Sequence, residues 1–258
     1  MGHHRRGSGT EPDGGYIVIR TTQPGASALE IIRSSTQLRP VALVPEIRLH
    51  QASEPIGLWH RTELAAGRTG LDPPFWAFAW AGGQALARYL LDRPEAVKGR
   101  HVIDIASGSG LVAIAAARAG AAAVTAYDID PLAAAAITMN ASANGVAVRA
   151  VCTDVLDEDA PASPGIDVIL AADAFYERDL AGRVMRFLER GQARGADVLA
   201  GDFGRAYLPR DRLRALAAYD VPGLIGLEDS DIKRTTIWAP LAARSGEGQR
   251  DGSGARGG

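Results

Sequence analysis

Short apolar runs separated by stretches of helical character organise the middle of this chain. The first run, residues 101–105 (HVIDI), carries one acid at Asp104 and breaks into Ser107, Gly108, Ser109 and Gly110. An alanine-rich helical stretch follows and ends at Gly120, and a second apolar run closes on Asp128. Asp130 followed by Pro131 is an N-cap with proline at the first helical position, and the helix it opens runs to about Asn144 and Gly145. Residues 146–152 form a third strand and residues 197–201 a fifth. Between them, residues 166–172 are almost wholly apolar, as in a strand covered on both faces. Residues 210–218 read as another helix. The runs 224–227 and 233–240 leave no room for a helix between them, which predicts an antiparallel hairpin.

Five strands alternating with helices, then a closing hairpin, predict a Rossmann-like α/β fold. Its sheet is seven-stranded and mostly parallel, with one reversed strand and helices on both faces. Upstream, an alternating run at 16–20, a helix-like stretch at 26–32 and a β-like stretch at 44–50, framed by Pro45 and Pro55, suit a small N-terminal cap. In the stretch 71–84, Pro73 and Pro74 force an extended backbone. Four aromatics follow within six residues, Phe75, Trp76, Phe78 and Trp80. Each alone is a hydrophobic plug anchoring the cap; together, beside Gly82 and Gly83, they predict a pocket wall. Residues 84–91 are a helix with Ala85, Leu86, Tyr89 and Leu90 on one face. The layout is then a disordered tail at 1–15, a cap and aromatic segment at 16–95, a core at 96–244 and a second disordered tail at 245–258. His3 and His4 belong to the first tail and receive no role.

Composition narrows the function. At 258 residues the chain can bury one sizeable core. A formal net charge of -2 supplies no electrostatic footprint for nucleic acid or an anionic membrane surface. Cys152 is the only cysteine, so neither an intramolecular disulfide nor a multi-cysteine metal site is available. No metal site is expected. No run approaches the roughly 20 apolar residues of a membrane span, and no signal-peptide pattern opens the chain. The expectation is a soluble protein of the cytoplasm.

Strand, glycine loop, helix, strand, acid is the sequence form of a nucleotide-binding βαβ unit. Gly108, Gly110 and Ala113 satisfy G-x-G-x-x-G/A, and Asp128 lies about 20 residues on, where a dehydrogenase holds its ribose. The pattern alone allows NAD. Asp104 counts against it, because a carboxylate just before the loop disfavours a pyrophosphate but can hold an ammonium, directly or through water. About a hundred residues precede the loop, which also argues against a dinucleotide fold. S-adenosylmethionine carries a ribose at one end and an amino-acid zwitterion at the other, and so suits both acids. In this reading Gly108 and Gly110 let the backbone approach the cofactor, and the next helix offers its N-terminal amides to the methionine carboxylate. Asp128 accepts from the ribose hydroxyls, and Asp154, just after the third strand, meets the adenine amino group. Asp130 reads as a helix cap, and Asp154 has a turn residue as its alternative.

Asp173 and Tyr176 close the fourth strand, at the end that faces the crevice in open α/β sheets. This D-x-x-Y suits an amine acceptor. Methyl transfer needs a neutral nitrogen lone pair within about 3 to 3.5 Å of the methyl carbon, and an unperturbed lysine has a pKa of about 10.4. Asp173 and the Tyr176 hydroxyl are therefore cast as the pair that positions the amine, although a carboxylate also favours the ammonium form. Tyr176 alone could equally be packing at a helix start. Trp76 and Trp80 offer aromatic faces to the sulfonium or the substrate stem.

Residues 104–110, 128–131 and 173–176 resemble the motifs of class I, seven-β-strand S-adenosylmethionine methyltransferases. More narrowly, residues 44–49 (VPEIRL), residues 72–84 with Trp76, Gly82, Gly83 and Gln84, the Asp-Ala-Phe-Tyr motif, and Thr235, Thr236, Ile237 and Trp238 resemble protein-lysine methyltransferases that modify the β subunit of electron transfer flavoprotein. The resemblance covers roughly residues 38–241. It implies S-adenosylmethionine as cofactor, bound by Trp76, Trp80, Asp104, Ala106, Ser107, Gly108, Gly110, Asp128, Ile129, Asp154 and Asp173, with Asp173 and Tyr176 catalytic. It implies a protein substrate, electron transfer flavoprotein β. Ala106 stands where the first glycine of the motif is usual, and Ala81 where a proline is common. A ribosomal protein or a small amine is the alternative acceptor. A nucleotide-dependent oxidoreductase and a binding module without turnover are the alternatives of other classes.

Overall fold

A computed structural model of the chain describes residues 26–53, 55–67, 69, 73–156, 165–223 and 232–241. Both predicted tails, the alternating run at 16–20 and the run at 224–227 lie outside the described residues. The elements are α1 (Ala26–Ser35), β1 (Gln37–Pro40), β2 (Arg48–Gln51), α2 (Pro55–Ala66), α3 (Ala81–Asp92), β3 (His101–Ile105), α4 (Leu111–Arg118), β4 (Ala123–Asp128), α5 (Pro131–Ala143), β5 (Arg149–Cys152), β6 (Val168–Ala172), α6 (Arg178–Ala193), β7 (Asp197–Asp202), β8 (Leu213–Pro222) and β9 (Ile232–Pro240).

Among the described residues seven strands form one sheet in the order β5-β4-β3-β6-β7-β9-β8. Strands β5, β4, β3, β6 and β7 run parallel, and β9 is antiparallel to both of its neighbours, so it is the single reversed strand. Alternate residues of β3 serve opposite faces: Val102 packs with α3 and α4, whereas Ile103 and Ile105 pack with α6. The fold class is as the sequence predicts, a Rossmann-like seven-stranded sheet with helices on both faces and an antiparallel terminal hairpin.

Two local readings need correction. Residues 210–218 are not a helix: a 3-10 turn at Arg210–Arg212 leads straight into β8. Its Arg-Ala-Leu-Ala-Ala run has high helix propensity, but pairing along β9 from Leu213 to Pro222 overrides it. The described hairpin pairs β8 with β9, and the run expected as its first arm, 224–227, lies outside the described residues. In the stretch 44–50 only the end is strand; Val44 and Ile47 sit in a turn closed by hydrogen bonds from the Val41 amide to the Ile47 carbonyl and back from Ile47 to Val44. The strand begins at Arg48 and pairs antiparallel with β1, which the sequence pattern did not reveal.

The β1–β2 hairpin docks on α5 through polar side chains. Asn140 is fully buried; its Oδ1 accepts from the His50 amide at 2.8 Å and its Nδ2 donates to the Ser109 carbonyl at 2.8 Å. Asn144 accepts from the Arg48 amide and donates to the Arg48 carbonyl, as a strand neighbour would. A third apolar cluster, with Ile32, Leu58, Trp76 and Ala136, seals the cap against α5.

Candidate functional site

The carboxyl ends of β3, β4, β5, β6 and β7 meet at a pocket of about 580 Å³, roofed by the aromatic segment from Pro73 to Trp80. This is the crevice that a parallel sheet opens where strand order reverses, here between β3 and β6.

On the β3–β4 side, Asp104 is buried and its Oδ2 accepts from the Ser107 hydroxyl and, at 3.2 Å, from the Ala113 amide in the first turn of α4. The N-cap of α4, Gly110, has no side chain to cap with, so Asp104 does that work from the preceding strand. Burial pushes its carboxyl up to about 7, against the pull of those two bonds. Ala106 lies between them with φ 50, in the left-handed region that glycine occupies without strain. Gly108 (φ 53) donates its amide to Asp128 Oδ2 at 2.8 Å. Gly110 (φ 81) faces away from the pocket; a Cβ there would lie 3.2–3.3 Å from Ile137 of α5.

Asp128 also accepts from the Asp130 amide at 3.0 Å, and burial raises its carboxyl above the usual range. One acid thus spans the glycine loop and the start of α5. Asp130 caps α5 through Leu132, as its position before Pro131 implied. Ile129, beside it, is an exposed hydrophobic residue on the pocket wall. Asp154 accepts from the Leu156 amide at 3.0 Å in a turn and from Arg183 of α6 at 2.8 Å.

On the β6–β7 side, Asp173 has φ 55, and its amide donates to the Gly201 carbonyl. Its Oδ2 accepts from the Gly83 amide at 2.9 Å and its Oδ1 from Arg205 at 3.1 Å. Gly83 is in the first turn of α3, whose N-cap Trp80 makes no side-chain cap, so Asp173 caps α3 from across the sheet. Burial raises its carboxyl to about 6; Arg205 lowers it and Asp202 raises it. Gly82 explains the closeness: a Cβ there would overlap the Gly201 carbonyl and the Asp173 carboxylate. Tyr176 is half-exposed at the mouth, with its ring 5.5 Å from that of Phe75. Trp80 donates to the Phe75 carbonyl at 2.8 Å, and Trp76 is buried between pocket and cap. Plug and wall are therefore the same segment seen from two sides.

The pocket brings together every site residue expected from the sequence except Gly110. Two charged lining residues were not expected from the sequence, Arg183 and Arg205. Arg205 had a signal: it follows the fifth strand at the carboxyl end of the sheet, where the rule that pointed to Asp173 applies equally. Arg183 had none, because its register on α6 only emerges with the helix. The donor set fits S-adenosylmethionine: two buried acids at adjacent strand ends, backbone opened by Gly108, and a pocket within the 300–1,000 Å³ usual for such ligands.

The ribosomal protein L11 methyltransferase (PrmA) family pattern matches residues 85–176. The chain is 37% identical over 213 residues to the electron transfer flavoprotein beta subunit lysine methyltransferase of Danio rerio, covering 81% of each chain. It is 36% identical over 204 residues to the Mus musculus protein of the same name, covering 76% of this chain and 77% of that one. A ribosomal protein L11 methyltransferase of Aliivibrio salmonicida is 47% identical over 103 residues, 39% of this chain and 34% of that one. The crystal structure of ribosomal protein L11 methylase from Lactobacillus delbrueckii subsp. bulgaricus aligns with a TM-score of 0.43 at 21% identity, over 62% of this chain and 78% of that chain.

Proposed function

This chain belongs to the electron transfer flavoprotein beta subunit lysine methyltransferases, and from that premise we propose that its own methyl acceptor is a lysine of electron transfer flavoprotein β. The enzyme is an S-adenosylmethionine-dependent protein-lysine methyltransferase. The likeness to two vertebrate enzymes of that name, over 76% and 81% of this chain, carries the acceptor reading.

When bound, S-adenosylmethionine supplies an electrophilic methyl carbon on a sulfonium. In the proposed arrangement Asp104 faces the amino-acid ammonium, directly or through water, while Ala106, Ser107, Gly108 and Gly110 shape the backbone around that moiety. Asp128 takes the ribose hydroxyls, Ile129 covers the base, and Asp154 meets its amino group. Trp76 and Trp80 wall the sulfonium end. Asp173 and Tyr176 orient the lysine nitrogen so that its lone pair points at the methyl carbon, and the aromatic segment excludes water. No helix among the described residues is long and apolar enough to cross a membrane. Cytoplasmic residence belongs to the same proposal and rests on the single cysteine; fractionation of the native cell checks it.

Incubating purified electron transfer flavoprotein β with the enzyme and S-adenosylmethionine, then mapping the product by mass spectrometry, tests the acceptor. Mass increments of one to three methyls on a lysine are expected. An unmodified protein under conditions where the enzyme binds S-adenosylmethionine rejects it. The match to ribosomal protein L11 methyltransferases over residues 85–176 favours one second reading, a ribosomal protein acceptor. Methylation of ribosomal protein in a parallel reaction, with none on the flavoprotein, selects it.

A further inference from the structure

The end of β7 places a cation where the proposed lysine site needs one explained. Arg205 donates from one guanidinium nitrogen to Asp173 Oδ1 at 3.1 Å, and its Nε lies 3.9 Å from Asp202 Oδ2. Asp202 is fully buried; its Oδ1 accepts the amides of Gly204 at 2.6 Å and Arg205 at 2.7 Å. Asp202 Oδ2 and Arg205 Nε are both buried with no hydrogen-bond partner, and they face each other. The guanidinium also lies over two rings, 4.7 Å from the Phe203 centroid and 5.9 Å from that of Trp80. A planar cation held by two acids and two rings has little freedom to move.

We propose that Arg205 is a positioning residue for methyl transfer: clamped between Asp173 and Asp202, its guanidinium cancels the charge of Asp173 so that this acid can orient an amine without fixing it as an ammonium. The inference rests on the lysine reading of the site. Asp173 alone would hold an incoming lysine in its charged form, which has no lone pair. The Asp173–Arg205 pair by itself is neutral, and with Asp202 counted the trio carries at most one negative charge where the two acids without Arg205 would carry two; Asp173 still presents oxygen lone pairs to an N–H donor. The charged groups acting on Asp173 are Arg205 and Asp202, both from the end of β7; α3 brings the Gly83 amide, and Arg210 acts on Asp202.

Two measurements on the full chain test this. In the substrate-free protein, carbon NMR of labelled aspartate follows the Asp173 carboxyl. Its titration moves up by about one pH unit or more in Arg205→Ala and Arg205→Gln, and stays near wild type in Arg205→Lys. In the methylation assay at saturating substrate, the rising limb of kcat with pH moves up by about one unit in Arg205→Gln, so its kcat falls about tenfold on the acid side of that limb and returns toward wild type above it, as a one-unit shift of the bound lysine requires. Arg205→Gln keeps the hydrogen bond without the charge and serves if Arg205→Ala does not fold. An unmoved carboxyl titration, an equal shift in Arg205→Lys, or a loss of rate that is the same at every pH overturns the proposal. If wild type leaves electron transfer flavoprotein β unmethylated, the acceptor reading fails, and the carboxyl titration still decides Arg205.

Discussion

Ala106 and Asp173 are the two described non-glycine residues with positive φ, and both stand at the pocket. A left-handed backbone costs an L-residue roughly 1–2 kcal/mol, while glycine loses roughly 0.5–1 kcal/mol of unfolded-state entropy. The balance predicts that Ala106→Gly raises stability by about 0.5–1 kcal/mol, read from the denaturant midpoint. At Asp173 the strained backbone carries a carboxylate that caps α3 through Gly83 and meets Arg205. Asp173→Asn keeps the shape but not the charge and lowers kcat/KM at least about 100-fold; Tyr176→Phe lowers it about tenfold. Asp104 sets a pH dependence. Its folded value, about 7, lies above the ordinary carboxyl value, so the folded protein holds this proton more tightly than the unfolded chain. The stabilisation is complete below about pH 4 and is lost as pH rises through about 7. Urea titrations from pH 4 to 8 should show Asp104→Asn gaining on wild type by up to about 1.4 kcal/mol per pH unit. S-adenosylmethionine affinity, by calorimetry, should weaken in wild type as pH falls through about 7, because a neutral Asp104 no longer attracts an ammonium.

Helix starts and strand ends are coupled across this fold. Neither Gly110 before α4 nor Trp80 before α3 caps its helix with a side chain. Asp104 at the end of β3 and Asp173 at the end of β6 supply the missing acceptors instead. Each acid in the pocket therefore also fixes the element that builds the pocket, which rigidifies the site at little entropic cost. The contact of α3 with β7 shows how tight that coupling is, because Gly82 and Gly201 meet backbone to backbone. Gly82→Ala should cost about 1–3 kcal/mol or more and displace Asp173, so thermal stability and methylation fall together.

Across the whole molecule, the cap and the core are joined through the glycine loop. Asn140 holds the β2 backbone with one end of its amide and Ser109 with the other, while Trp76 and Ile32 close the apolar seam beside it. Asn140→Ala leaves the buried Ser109 carbonyl without its partner, at about 1–3 kcal/mol, and the half-buried His50 amide as well. The expected signature is a lower melting temperature together with weaker S-adenosylmethionine binding, because loosening the cap releases the loop. Unchanged cofactor affinity in a destabilised variant would show that the cap does not hold the loop.

The sequence by itself determined the five parallel strands and the reversed strand at residues 233–240, because a continuous apolar run, a glycine break and a proline after an N-cap act over a few neighbouring residues. It also determined which acids stand at strand ends, since those ends must face the crevice of a parallel sheet. It did not determine β8, where Arg-Ala-Leu-Ala-Ala favours a helix locally and only pairing with β9 makes it a strand. Nor could it show that Asp104 and Asp173 cap distant helices, that Gly110 turns toward Ile137, or that Arg205 reaches Asp173 across 32 positions of chain. Those features depend on the separation of side chains far apart in sequence, and long-range packing sets that separation.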